Sequence, residues 1–352
     1  MLRIALIGAG RTVTIGHAPA LQALRDKYRV VALADQSQDA LDDVGILLAV
    51  PPGQRYTDYH AMLQEIECDV VSITLPHAYH FDAAMTAIRA GTDVICERPL
   101  ALSVQEAEEV IRAAEERDKK VLMLHFYLYY PPFREAIRLV NAGDIGEPFF
   151  VRCEGVTGGY GPGTATYHPE WHGNPALSGG GVWLDSGYHS AYLCEKLMRY
   201  PVDMISARTA TFSTGLPVDD TAVAQLIHAN GGVSSIQVAW SVPSGGKRIF
   251  EVYGTAGTIA IDHEGYPLGI YSNELQSWRH PPVLLGRDES FIDLYNAIAD
   301  CLSEGAPAPV THQEAIRTLE IVQSAYRASE HHSVERIRPA GTGRENEERY
   351  AA

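Results

Sequence analysis

The sequence predicts an α/β fold in two parts: a doubly wound, parallel Rossmann domain, then an α+β domain built on a large, mainly antiparallel open sheet. Three observations predict it. Short β-branched apolar runs alternate with segments of helical period over the first third, a glycine turn follows the first of those runs, and beyond Asn141 the pattern changes to longer strands of period two.

In chain order, the strands of the first part are Arg3 to Ile7, Arg29 to Asp35, Asp69 to Thr74, Asp93 to Cys96 and Val121 to His125. Helices near Ala18 to Lys27, Tyr79 to Ala90 and Ser103 to Asp118 run between them, the last opened by the capping box Ser103-x-x-Glu106. The turn cluster Asn141-Ala-Gly-Asp-Ile-Gly-Glu-Pro marks the change of pattern. Ala222 to His228, Val233 to Trp240, Arg248 to Tyr253 and Thr258 to Asp262 then read as neighbouring antiparallel strands with one face buried. A helix near Gly187 to Met198 interrupts this part, and helices at Ser290 to Ser303 and Glu314 to Glu330 close it. The expected division is a dinucleotide-binding domain at 1–125, a substrate-binding and oligomerisation domain at 126–338, and a polar, mobile tail at 339–352.

With 352 residues and 46% apolar composition, the chain can bury two cores of ordinary size. A formal net charge of -16, with no clustered basic face, speaks against a nucleic-acid binder. No basic n-region and apolar h-region precede the first strand, and no uncharged apolar run reaches the roughly 20 residues that a bilayer needs, so a cytoplasmic protein without membrane contact is expected. The five cysteines are scattered and never spaced C-x-x-C, which suggests reduced thiols rather than disulfides or a zinc knuckle.

The first strand runs into Gly8-Ala-Gly10-Arg11-Thr12-Val13, and a helical segment follows. In that context Gly8 makes the turn, Gly10 lets a pyrophosphate approach the backbone, and the helix start offers N–H groups to the phosphates. Val13 stands where a third glycine belongs and Gly16 arrives three residues late, from which a slightly longer loop is expected. Asp35 ends the second strand, where a carboxylate accepts the adenosine ribose hydroxyls and repels a 2'-phosphate. Gln36 and Ser37 bring no positive charge, so NAD is expected rather than NADP.

Thr74-Leu75-Pro76-His-Ala-Tyr-His80 is similar to a family segment written TPNxxH, Ala90-Gly-Thr-Asp-Val-Ile-Cys-Glu97-Arg98-Pro99-Leu to AGKHVxxEKPL, and Gly179-Gly-Gly-Val-Trp-Leu-Asp185-Ser-Gly-Tyr-His189 to GGGxxxDxGxH. Taken in this order and spacing, with the glycine turn before them and Val252-Tyr-Gly-Thr-Ala-Gly-Thr after, the chain from Ile4 to about Glu330 resembles the glucose-fructose oxidoreductase, inositol dehydrogenase and MocA family. The resemblance implies a two-domain NAD(P)-dependent oxidoreductase acting on sugars or cyclitols, with the nicotinamide between the Glu97-Arg98-Pro99 segment and the second domain. It also implies a homodimer or homotetramer, and it adds Thr74, Leu75, Pro76, His80, Glu97 and Arg98 to the cofactor-side residues Gly8, Gly10, Arg11, Thr12, Val13 and Asp35.

Oxidising a secondary alcohol needs a group that takes the hydroxyl proton. A histidine titrates near neutral pH, which makes His189 the candidate, with Asp185 four residues earlier to orient it or grip a neighbouring hydroxyl. Arg98 departs from the pattern by standing where the family has lysine. It keeps its proton, so it can donate hydrogen bonds but cannot relay a proton. Tyr127, Tyr160, Trp171 and His172 are candidates for the substrate's faces, and they suggest a glycoside, aminocyclitol or aryl-bearing sugar rather than a sugar phosphate. The same aromatics read equally as packing between domains. His168-x-x-x-His172 and Asp185-x-x-x-His189 are ligand-like spacings, but His168 precedes a proline and no metal is expected. Two other activities fit the same motifs: a NAD-dependent glycosidase or eliminase that regenerates its cofactor, and a dinucleotide-sensing protein without turnover.

Overall fold

The computed structural model describes residues 1–157, 170–212, 215–242, 244, 248–283 and 286–337. The chain forms two compact units, one of Met1–Arg134, Ala176–Gly179 and Leu284–Ala315, the other of Glu135–Pro175, Gly180–Val283 and Ile316–Ala352.

Six parallel strands make the sheet of the first unit: β1 (Leu2–Ile7), β2 (Tyr28–Ala34), β3 (Arg55–Tyr56), β4 (Val70–Ile73), β5 (Asp93–Cys96) and β6 (Val121–Met123). Their order is β3-β2-β1-β4-β5-β6, so the chain reverses its direction of travel between β1 and β4, and ligands of such sheets bind beyond the strand ends at that point. The crossovers run through α1 (Ala18–Ala23), α2 (Gln38–Leu47), α3 (Tyr59–Glu65), α4 (His80–Arg89) and α5 (Val104–Glu115). Ile4, Leu6, Ile7, Val70, Val71, Ile73, Val94 and Ile95 are wholly buried, as strands covered on both faces require. The expected capping box is present at α5, where Glu106 N–H donates to the Ser103 hydroxyl and Ser103 N–H to the Glu106 carboxylate.

One departure in this unit has a physical cause. No longer loop follows the glycine turn: residues 13–17 form a π-turn ahead of α1, which absorbs the extra residue within the helix. Gly16 lies in that turn, and a Cβ there would come within 2.7 Å of the Phe291 ring, so the late glycine serves close packing against a helix. Phe291, Leu294, Tyr295 and Ile298, from a helix at Arg287–Glu304, join Ile4, Leu6 and Leu33 in one core.

The remaining helices are α6 (Pro131–Ala142), α7 (Pro175–Ser178), α8 (Tyr188–Met198), α9 (Arg287–Glu304) and α10 (His312–His331). No helix among the described residues is long and apolar enough to cross a membrane.

Nine strands make the sheet of the second unit: β7 (Pro148–Val156), β8 (Val202–Ala210), β9 (Thr221–His228), β10 (Val233–Ala239), β11 (Arg248–Gly254), β12 (Gly257–His263), β13 (Tyr266–Ser272), β14 (Ser277–Arg279) and β15 (Val334–Arg336). Their order is β14-β13-β12-β11-β7-β10-β9-β8-β15, antiparallel except where β10 pairs in parallel with β7. The expectation that the strands at 233–240 and 248–253 are neighbours is therefore corrected. β7 lies between them, a pairing of distant segments that period-two alternation cannot encode.

One buried group of this sheet gives the stability a pH dependence. His228 ends β9, 1% exposed, with Nδ1 2.7 Å from the Tyr200 carbonyl and Nε2 2.7 Å from the Ser234 hydroxyl. The neutral ring satisfies both, donating from Nδ1 and accepting at Nε2. Burial pushes its pKa down to about 4 from 6.5. Between those values the unfolded chain binds the extra proton, so stability is full above pH 6.5 and falls as the pH drops towards 4, by on the order of 3 kcal/mol. Chemical unfolding across that window should show a steeper loss for the native chain than for His228→Gln; equal slopes would remove His228 from the account.

Candidate functional site

In the first unit the glycine turn is built against β4. Gly8 has φ +101°, and a Cβ there would meet the Thr74 carbonyl and hydroxyl oxygens at 2.5 Å, so only glycine fits. The Asp35 carboxylate accepts the Ala9 N–H at 2.7 Å and the Ser37 N–H at 2.8 Å, tying the end of β2 to the turn. Among the described residues nothing lies within 4 Å of a Cβ built on Gly10, so the turn leaves room for a ligand to reach the backbone. Arg11 and Thr12 begin the helix and Val13 its π-turn. An open glycine, a helix start and an acidic residue closing β2 fit a dinucleotide: the first two suit its phosphates, the third its ribose.

Beside this frame run the segments after β4 and β5. His80 opens α4, fully buried, with Nδ1 2.6 Å from the Pro99 carbonyl and Nε2 2.8 Å from that of Leu75, so its ring bridges the two segments; burial pushes its pKa down. The Arg98–Pro99 peptide is cis. Glu97 accepts a hydrogen bond from His17 Nε2 at 3.2 Å, and His17 Nδ1 lies 2.8 Å from the Tyr295 hydroxyl, which is 3.0 Å from Ser72. Burial pushes the Glu97 carboxyl up, but the hydrogen bond and field of His17, with Arg98 beside it, outweigh burial and hold it below its usual pKa. Arg98 itself is half-buried, and its Nη1 lies 3.2 Å from His77 Nε2.

In the second unit Asp185 and His189 are both half-buried. His189 lies in the first turn of α8, which begins at Tyr188, and Asp185 in a π-turn, Trp183–Gly187. That turn is anchored from elsewhere in the unit. The Asp219 carboxylate accepts the Gly181 N–H at 2.8 Å and the Trp183 N–H at 2.9 Å, and the Tyr326 hydroxyl donates to it at 2.9 Å. Burial pushes the Asp219 carboxyl up from its ordinary value, against the pull of these donors. A Cβ on Gly181 would collide with the Asp219 carbonyl, so the close approach needs glycine. His189 Nδ1 lies 2.9 Å from the hydroxyl of buried Tyr192, one turn further along α8. Sequence reasoning offered Asp185 to orient the imidazole or to grip a neighbouring hydroxyl and did not name Tyr192, although its i+3 spacing from His189 was there to be read.

The other candidates are scattered between the units. Tyr127 packs within the first, 4.1 Å from the ring of Phe126 and 5.8 Å from that of Phe133. Trp171 and His172 lie in a short 3₁₀ turn of the second, their rings stacked at 3.6 Å. Tyr160 and His168 fall outside the described residues.

A parallel sheet in the order 3-2-1-4-5-6, a glycine turn at its switch point and a carboxylate closing β2 define a dinucleotide-binding protein. Comparison with known families is more particular. Residues 2–125 match the model described as "Oxidoreductase family, NAD-binding Rossmann fold", and residues 133–260 match the "GFO/IDH/MocA C-terminal domain", together more than two thirds of the chain. The chain belongs to the GFO/IDH/MocA family of oxidoreductases. Among curated proteins it is 24% identical to D-apiose dehydrogenase of Rhizobium rhizogenes, over 85% of this chain and 88% of that one. It is 28% identical to D-glucoside 3-dehydrogenase of Escherichia coli, over 57% of this chain and 55% of that one. Among solved structures it is similar to GenD2 from gentamicin A biosynthesis in complex with NAD, with a TM-score of 0.82 and 25% identity, covering 96% of this chain and 97% of that one.

Proposed function

We propose that the protein is a NAD-dependent dehydrogenase that moves a hydride between nicotinamide and a secondary alcohol or ketone of a neutral glycoside, aminocyclitol or related sugar. The observation that carries this reading is the imidazole of His189, half-buried at the head of α8 and engaged through Nδ1 by Tyr192, in a chain whose other unit bears a dinucleotide frame. Two of the similar proteins support the substrate class, since D-apiose and a D-glucoside are hydroxylated sugars.

Asp35 would accept the ribose hydroxyls and repel a 2'-phosphate, while Gly10 and the N–H groups of Arg11 and Thr12 would take the pyrophosphate; the Val13 N–H is given to the Gly10 carbonyl at 3.0 Å, so Val13 would contribute shape rather than a donor. Thr74, Leu75, Pro76, His80 and Glu97 shape the nicotinamide end. The bound cofactor supplies the hydride acceptor, or the donor in reverse. In its Nδ1–H tautomer His189 donates to the Tyr192 oxygen, 2.9 Å away, and the Nε2 lone pair of that tautomer takes the substrate's hydroxyl proton; the protonated ring returns it in the reducing direction. Arg98 stays charged and donates hydrogen bonds to the reacting oxygen, stabilising negative charge that develops there. Asp185 grips a neighbouring hydroxyl, and Tyr127, Tyr160, Trp171 and His172 contact the sugar.

A panel of polyols, glycosides, aminosugars and sugar phosphates, offered with NAD or NADP and followed by nicotinamide absorbance and product mass, tests the reading. The expected result is oxidation of a neutral glycoside or aminosugar with kcat/KM at least about tenfold higher for NAD than for NADP. Turnover confined to sugar phosphates, or preference for NADP, overturns the corresponding half of the proposal.

A further inference from the structure

Two side chains that the sequence motifs treat separately are in contact. Arg98 stands where the family pattern EKP has lysine, and His77 stands where TPNxxH has asparagine. In the structure Arg98 Nη1 lies 3.2 Å from His77 Nε2, and His77 Nδ1 lies 2.8 Å from the Ser178 carbonyl. A carbonyl can only accept, so Nδ1 carries the ring proton. A guanidinium can only donate, so Nε2 carries a lone pair. Both conditions hold for one species, the neutral Nδ1–H tautomer, and the ring is 3% exposed, so bulk water does not compete for either nitrogen.

We propose that His77 is a positioning residue for Arg98, and that the two form a single unit replacing the family's asparagine and lysine. The proposal rests on the role given to Arg98 above. A lysine ammonium turns freely on a flexible stem and can satisfy its donors in many geometries, whereas a guanidinium presents five N–H groups in a rigid plane. Fixing one N–H of that plane therefore restricts where the others point. The imidazole does this, because its Nε2 reaches further from the backbone than an asparagine oxygen does and its opposite nitrogen is anchored on Ser178. Held so, the guanidinium meets the substrate oxygen with its orientation already set, and little ordering is left to the reaction itself.

The test uses the full-length protein and a double-mutant cycle on the substrate that the panel identifies, with the imidazole's own nitrogen spectrum as a readout independent of turnover. His77→Leu should lower kcat about tenfold and leave the substrate KM within about threefold. His77→Gln, whose amide oxygen can accept from the guanidinium, should recover most of the loss. In an Arg98→Ala background, His77→Leu should cost less than about twofold more, because the group it positions is gone. The ¹⁵N spectrum, with the His77 signals identified by their disappearance in His77→Gln, should show Nδ1 protonated and Nε2 bare. Additive losses in the double variant, a His77→Gln as impaired as His77→Leu, or the opposite tautomer would each overturn the proposal. If no member of the panel is turned over, the tautomer alone decides the positioning claim, so its failure stays distinct from failure of the dehydrogenase reading.

Discussion

Replacing His189 with alanine is expected to lower kcat by about 10²- to 10⁴-fold, with the dissociation constant for NADH within about threefold of the native value. The size of the effect follows from the role given to His189, the group assigned to take the hydroxyl proton. Arg98 keeps its proton at any working pH, so the transfer falls to the imidazole alone. Dinucleotide binding is spared because the residues assigned to it, Gly8, Gly10 and Asp35, form a hydrogen-bonded frame of their own in the first unit. Tyr192→Phe should give a smaller loss of about tenfold, since it removes the partner at Nδ1 and leaves the imidazole in place. Stopped-flow turnover and fluorescence titration separate the two quantities. A His189→Ala variant with near-native kcat would remove the imidazole from the mechanism.

The second large effect is expected at a residue with no part in the chemistry. Asp219→Ala should lower the stability of the native chain by about 3 kcal/mol and lower turnover with it. The carboxylate receives two backbone N–H groups, from Gly181 and Trp183, and one phenol, from Tyr326. Truncation leaves those donors without their acceptor in a place largely closed to water, which costs more than the hydrogen bonds themselves contribute. Loss of activity follows because Asp185 lies in the turn that these bonds anchor and His189 in the first turn of the helix after it. Asp219→Asn keeps one acceptor oxygen and should fall between the two. A native unfolding midpoint for Asp219→Ala would show that the turn is held by other means.

The first sheet is legible in the sequence because its strands are mostly buried, so all but β3 read as short apolar runs with at most one polar residue. β3 is missed because two residues, Arg55 and Tyr56, carry no period, and α3 because it is short. Of the second sheet, β9 to β12 can be read from alternation, but the seat of β7 between β10 and β11 depends on pairing between distant segments. Most motif residues proposed for the site stand at strand ends or helix starts, which turn residues mark in the sequence. The residues that hold them in place are not. Asp219 and Tyr326 reach the turn at 183–187 from other parts of the chain, and neither π-turn has a spacing signature, since each is a helix with one residue too many. His77 and Arg98 lie in separate motifs, and only folding shows that they touch.

The helix at Arg287–Glu304 gives the first unit an order of assembly. All six of its strands have left the ribosome before Phe291, Leu294 and Tyr295 are made, yet those side chains fill the same interior as Ile4 and Leu6. During synthesis the nascent sheet is therefore left with an open apolar seam, and with Ser72 and His17 lacking the phenol they later share, until residues 287–304 have been made. The first unit's interior is thus closed by a segment made more than a hundred residues after its last strand.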